Sequence, residues 1–245
     1  MSASDPALER FVVDCRDLFG DGLRSVFLYG SAVTGDLRQG VSGCNVAVVL
    51  QEVRFGLLKQ AAARLPDWRK SGLDPPLFLD PAFIRAGSRL FPIEFSEMKR
   101  AHRMLYGPDP LLDLACAAGD LRAQCEQELC AKLLALRQGY LGSAGSASRL
   151  LGLAHDSLKS VLIVLRNTLP LLGESPPLRL LESLGRVEAR WGVALPACRR
   201  LLAVRAGEEK VKREEIHALF GAYADEVRAL ADGFGRTLPP EAAGQ

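Results

Sequence analysis

No run of 18 uncharged apolar residues occurs in the chain, so no membrane-spanning helix is expected. The first residues lack a basic segment followed by an apolar core, so no secretory signal is expected either. Charge of one sign is also missing. The 31 basic and 29 acidic residues leave a net charge of +2, which argues against a general nucleic-acid-binding surface and leaves room only for a local basic face. The six cysteines form no Cys-x-x-Cys pair and the three histidines do not cluster with them, so a zinc site is not expected. Cysteines set among apolar neighbours read as small buried hydrophobes, and a reducing cytoplasm is the natural compartment. Internal repeats and low-complexity tracts are absent.

What the 245 residues do hold is a change of pattern near residue 110. Before it, short apolar runs alternate with helical stretches. Residues 6–19 carry Leu8, Phe11, Val12, Cys15 and Leu18 at helical spacing, behind the cap-and-proline pair Asp5 and Pro6. Residues 25–29 and 44–50 read as strands, the second apolar enough to be buried on both faces. Residues 55–65 read as a helix, residues 77–79 as a strand, and Pro81 opens a short helix. Residues 90–95 read as a fourth strand, with Glu94 between Ile93 and Phe95. Residues 97–106 read as a returning helix stopped by Gly107 and Pro108.

Beyond residue 110 the periodicity is helical throughout. Leu121, Cys125, Leu129, Leu133, Leu136 and Tyr140 share one face. Residues 148–169 form a second, unusually apolar helix expected at the centre of a bundle. Residues 213–233 form a last amphipathic helix. The expectation is an α+β chain: a mixed-sheet domain over residues 1–110, an all-α bundle over 111–236, and a disordered tail over 237–245.

The most informative segment is Phe27, Leu28, Tyr29, Gly30 and Ser31, followed by thirteen residues and a strand that starts at Asn45. Gly30 permits a positive φ and close backbone approach. Backbone N–H groups in such a turn, with the Ser31 hydroxyl, can cradle a phosphate. An ordinary strand-to-helix turn uses the same residue types. With its spacing to Asn45, this segment resembles the DNA polymerase beta-like nucleotidyltransferase superfamily, and the helical half extends the resemblance to kanamycin-nucleotidyltransferase-like proteins. In that superfamily the Gly-Ser turn leads to a strand carrying Asp-x-Asp or Asp-x-Glu. Those two positions fall on Asn45 and Ala47.

The loss matters chemically. Nucleotidyl transfer uses a metal clamp on the attacking and leaving oxygens, and magnesium takes carboxylate oxygens. Residues i and i+2 of a strand point to one face, so Asp-x-Asp aims two carboxylates at one place. Asn45 offers one neutral amide oxygen and Ala47 offers nothing. The resemblance implies a third carboxylate on a later strand, and Glu94 fits it. Glu94 could equally serve as an ion partner for Arg89 or Arg100. Asp36 could replace a lost ligand or be a solvated turn residue. Lys99, Arg100, His102 and Arg103 could hold a triphosphate or form a solvated helix face.

These observations set the expectation of a nucleotidyltransferase-fold protein without its metal ligands, which binds a nucleoside triphosphate weakly or serves as a protein-interaction module. No catalytic residue and no cofactor are assigned. The alternative is an active transferase with a rearranged site, in which magnesium would be the cofactor.

Overall fold

Helix α1, Asp5–Phe19, starts at Pro6 in its first turn and ends where Gly20 takes a positive φ. It buries Leu8, Phe11, Cys15 and Phe19, the stripe that its periodicity predicts. In the computed structural model, which describes residues 4–34 and 44–238, this helix packs on a four-stranded sheet. Strand β1 is Leu23–Tyr29. A four-residue helix α2, Ser31–Thr34, follows the turn at Gly30. Strand β2 is Asn45–Leu50, helix α3 is Phe55–Lys70 and strand β3 is Leu77–Leu79.

Two helices then follow in succession, α4 at Pro81–Leu90 and α5 at Pro92–Arg100, before strand β4, His102–Tyr106. The sheet order is β3-β2-β1-β4. β1 is antiparallel to both β2 and β4, and β2 runs parallel to β3. The sheet is therefore mixed, and β1 lies beside β2 as the sequence predicts.

The fourth strand is a correction. Residues 90–95 do not extend, and the expected helix over residues 97–106 gives up its second half. Asp80 caps α4, accepting from the Phe83 N–H at 2.8 Å, and Pro92 occupies the first turn of α5, where its missing N–H costs nothing. Pro92, Phe95 and Met98 are buried, a spacing of three that belongs to a helix. Ile93, Glu94 and Phe95 imitate strand alternation over only three residues. β-branched and aromatic side chains strengthened that reading.

The sheet is buried on both faces. One face carries Val26, Leu28, Val46 and Val48 against Leu8, Phe11, Cys15 and Trp68 of α1 and α3. Phe11 meets Trp68 edge to face at 4.9 Å, and the Trp68 indole donates to Asp14 at 2.9 Å. Burying one such aromatic side chain contributes about 1.5–3 kcal/mol. The other face carries Phe27, Ala47 and Val49 against Ile84, Phe95, Met98 and Leu111.

The chain divides into two compact units, Met1–Ala117 and Ala118–Gln245. Leu111 is buried in the first unit's core with Leu114 and Cys116 packed beside it. The second unit is helical among the described residues: α6 Ala118–Gly142, α7 Ala147–Thr168, α8 Glu182–Trp191, α9 Pro196–Ala206 and α10 Ile216–Thr237. α6, α7 and α10 pack on one another.

Helix α7 buries Leu150, Leu158, Val161 and Leu165 and also Arg166, Asn167 and Thr168. Each of these polar side chains finds a carbonyl: Arg166 donates to Leu178 at 2.8 Å, Asn167 to Ile163 at 2.9 Å and Thr168 to Leu165 at 2.7 Å. That is the condition for polar groups to sit in a core. Glu226 of α10 caps α9, accepting from the Ala197 N–H at 2.6 Å and the Cys198 N–H at 2.9 Å. No described helix is long and apolar enough to cross a membrane.

Candidate functional site

The register of β1 brings the residues of interest into two rows. Tyr29 pairs with Asn45 on one side and with His102 on the other. Phe27 pairs likewise with Ala47 and Met104. Side chains two apart on a strand share a face, so both rows look the same way. The first row lies beside the turn that begins at Gly30.

At that turn Gly30 has φ +74°. A Cβ there would lie 3.7 Å from the Asn45 amide nitrogen, so the turn and Asn45 are neighbours. The Gly30 N–H is already used, donating to the Ala101 carbonyl at 2.9 Å. The Gly30 carbonyl accepts from Val33 and Thr34, which winds the chain into α2. Ser31 opens that short helix and is half-buried. Asp36 lies outside the described residues.

Asn45 and Ala47 differ sharply in surroundings. Asn45 is half-buried at the sheet's end. Ala47 is fully buried, and the cluster around it is apolar: Phe27, Val49, Leu79, Phe95 and Leu111. The helices α4 and α5 supply part of that cover. Their close approach depends on Gly87, because a Cβ there would sit 2.1 Å from a ring carbon of Phe95.

Glu94 lies on α5, exposed, in the first turn of the helix. It is not on a strand of the sheet, and β4 itself, from His102 to Tyr106, carries no carboxylate. The structure therefore does not set Glu94 in register with Asn45 and Ala47.

The basic cluster read from the sequence is dispersed. Lys99 donates to the carbonyls of Leu112 and Leu114 at 3.0 and 2.6 Å. Arg100 pairs with Glu97. Arg103 reaches Asp5 at 3.0 Å. His102 is held on both sides, with Nδ1 at 3.1 Å from the Lys99 carbonyl and Nε2 at 3.1 Å from an Asp109 carboxylate oxygen. Asp109 also accepts from the Leu111 N–H at 2.8 Å, so this contact ties β4 to the loop that carries Leu111.

Two residues in the first row were not singled out as a pair by the sequence. Tyr29 precedes the Gly-Ser turn, and His102 was placed on a helix. Burial raises the Tyr29 phenol above its ordinary range, and the nearby Asp74 carboxylate raises it further. It stays a neutral hydrogen-bonding group at physiological pH. The Asn45, Tyr29 and His102 row thus presents an amide and a phenol beside an imidazole whose two nitrogens are already engaged. The amide and the phenol can orient a polar ligand by hydrogen bonds. They supply no paired carboxylates for a two-metal clamp. Among the described residues no three His, Cys, Asp or Glu side chains gather in a metal-holding group.

The sequence matches no protein-family model and no curated protein. Solved structures do match. The chain is similar to spectinomycin adenyltransferase AAD(9) from Enterococcus faecialis, whose crystal structure contains ATP and spectinomycin. The identity is 13%, the TM-score is 0.56, and the match covers 91% of this chain and 98% of that one. A likeness at this identity concerns the fold alone: a mixed four-stranded sheet with helices, followed by a helical C-terminal part, as in a nucleotidyltransferase-like fold.

Proposed function

We propose that this protein keeps the nucleotidyltransferase fold without its metal-binding carboxylates, does not transfer nucleotidyl groups, and acts as a weak nucleotide-binding or protein-interaction module. The observation that carries the reading is Ala47. The position that the superfamily resemblance gives to the second metal ligand is fully buried in an apolar cluster. A carboxylate or a cation there would lose its hydration without compensation. Asn45 contributes at most one neutral oxygen, too little to displace magnesium's water shell.

Binding without a metal would fall to the groups around the turn. The Ser31 hydroxyl and the Asn45 amide can hydrogen-bond phosphate or sugar oxygens, and the Tyr29 phenol can hydrogen-bond a base edge. The adenyltransferase with the similar fold was solved with ATP, which makes a nucleoside triphosphate the first ligand to try. An exposed elbow supports the interaction half of the reading. Phe83 and Phe91 are stacked with ring centroids 6.3 Å apart, and Leu90 is exposed beside them on α4. Contiguous exposed apolar surface of this kind is commonly a binding face.

Titration calorimetry with nucleoside triphosphates, with and without magnesium, tests the proposal. The expected result is weak binding that magnesium does not tighten and that Ser31→Ala with Asn45→Ala reduces. The alternative, an active transferase, would draw on Glu94, Asp36 and the Asn45 amide oxygen. Micromolar magnesium or manganese binding that disappears in Glu94→Ala would show a rearranged metal site and favour it.

A further inference from the structure

Helix α6 has apolar residues on two faces. Leu121, Cys125, Leu129 and Leu136 are buried inside the helical unit. Leu134 and Leu141 are 58% and 80% exposed. With 100° of turn per residue, Ala123, Gln127, Cys130 and Gln138 lie within about 40° of Leu134 on the outward side. These four are exposed and uncharged, and the half-buried Asp120 in the first turn of the helix closes the stripe at one end. Gln127, Leu134 and Leu141 repeat every seven residues, and so do Ala123, Cys130 and Arg137. This is the two-position heptad spacing of paired helices, with Gln127 and Arg137 as its polar members.

We propose that α6 pairs with α6 of a second copy of this chain, antiparallel, along this seam. One antiparallel register overlaps all six positions of the seam. With the two-fold axis beside residue 132, Ala123 faces Leu141 of the second copy, Cys130 faces Leu134, and Gln127 faces Arg137. Each leucine meets a small side chain, as close packing requires. The rotation returns each flank of the helix to the same side. Arg137 therefore comes beside Glu126 of the second copy, within about one residue along the axis. Glu126 already accepts from Arg122 at 3.1 Å and is 45% exposed, so it can receive a second cation. On the opposite flank Gln138 meets Gln127 of the second copy, amide to amide.

Charge and shape thus select another α6 rather than an unrelated partner. A symmetric dimer repeats each contact twice. The seam spans about 27 Å at 1.5 Å per residue. Such a contact buries on the order of 1,000 Å² in total, which belongs to weak, reversible association. The pairing lies on the second unit and does not depend on whether the first unit binds a nucleotide.

Sedimentation velocity on the full chain over a concentration series, up to about 100 µM, reads the pairing directly. The expected result is a concentration-dependent dimer. Leu134→Glu weakens it at least tenfold with an unchanged far-ultraviolet spectrum, since the side chain is exposed. Arg137→Glu also weakens it, and Arg137→Glu with Glu126→Arg recovers it, because the exchanged charges meet again across the axis. In a Cys116→Ser background, a short bifunctional thiol reagent should join two copies through Cys130, which is the exposed cysteine. A wild-type chain that stays monomeric and does not cross-link overturns the proposal. So does a dimer that Leu134→Glu leaves intact. If Leu134→Glu unfolds the protein, the charge exchange and the Cys130 cross-link decide by themselves.

Discussion

At the scale of the residue, the proposed function turns on Ala47. A strand in the middle of a sheet needs small or apolar side chains on both faces, and Ala47 meets Phe27 in register and Phe95 and Leu111 above it. Placing a carboxylate there sets solvation against packing. Ala47→Asp should cost roughly 2–5 kcal/mol at neutral pH, whereas Asn45→Asp, half-buried at the strand's end, should cost under about 1 kcal/mol. The sign of the pH dependence follows from burial. A buried aspartate has its folded-state pKa raised, so the folded state tolerates it better while it is protonated, and stability falls as pH rises. Urea unfolding of Ala47→Asp at about pH 5 and about pH 7.5 checks this. Wild-type stability at both values would show that the position is wetter than the structure has it.

Burial acts on the thiols in the same way. It pushes Cys15 up to about 12, with the neighbouring Asp14 adding to the effect. It also raises Cys198, with Glu226 and Glu188 adding to it.

At the scale of the element, α4 and α5 decide what covers the face of the sheet that carries Ala47. Gly87 lets them approach. Helix propensity alone would favour Gly87→Ala by up to about 1 kcal/mol. The added methyl, however, would lie 2.1 Å from the buried Phe95 ring, and overpacking of that kind costs about 1–3 kcal/mol. The prediction is net destabilisation, partly recovered when Phe95→Leu is added. A double-mutant cycle by urea unfolding measures the coupling.

In the helical unit, Glu188 joins α8 to α9 by accepting from the Leu195 N–H at 2.8 Å and from Arg199. Burial works to raise its pKa, but the Arg199 and Leu195 donors prevail and hold it below the ordinary carboxylate range. A lowered folded-state pKa stabilises above the unfolded value and is lost as pH falls through the folded one. The stability gap between wild type and Glu188→Gln should therefore be open near neutrality and close as pH falls below the ordinary carboxylate range. A gap independent of pH would mean that the carboxylate's charge plays no part.

The elements were legible where length and period agreed. The 22 residues of α7 and the 25 of α6 repeat their apolar positions over many turns. β2 is a near-continuous apolar run, and β1 carries one from Val26 to Tyr29 that ends at the Gly30 turn. Residues 90–106 were not legible in this way, because two short elements meet there. Three residues of alternation at Ile93, Glu94 and Phe95 outweighed the proline that starts a helix. The basic run from Lys99 to Arg103 hid the change from helix to strand at Ala101, where the helix ends.

At the scale of the whole molecule, the fold is similar to that of the adenyltransferase over 91% of the chain, although only 13% of the sequence is identical. A fold is kept by patterns of burial that many sequences satisfy, and a site is kept by a few named groups. That is why the Gly-Ser turn and its spacing to Asn45 could be read from the sequence. The row of Asn45, Tyr29 and His102 could not, because His102 joins it only through the register of β4.

The central claim is that this fold is used without metal-assisted transfer. The most direct test follows wild-type protein with labelled nucleoside triphosphates in the presence of magnesium or manganese, with binding and transfer recorded on the same sample. The account predicts weak binding that the metal does not tighten, and no label moved to protein or to small-molecule hydroxyls. Metal-dependent turnover by the wild-type chain would contradict it.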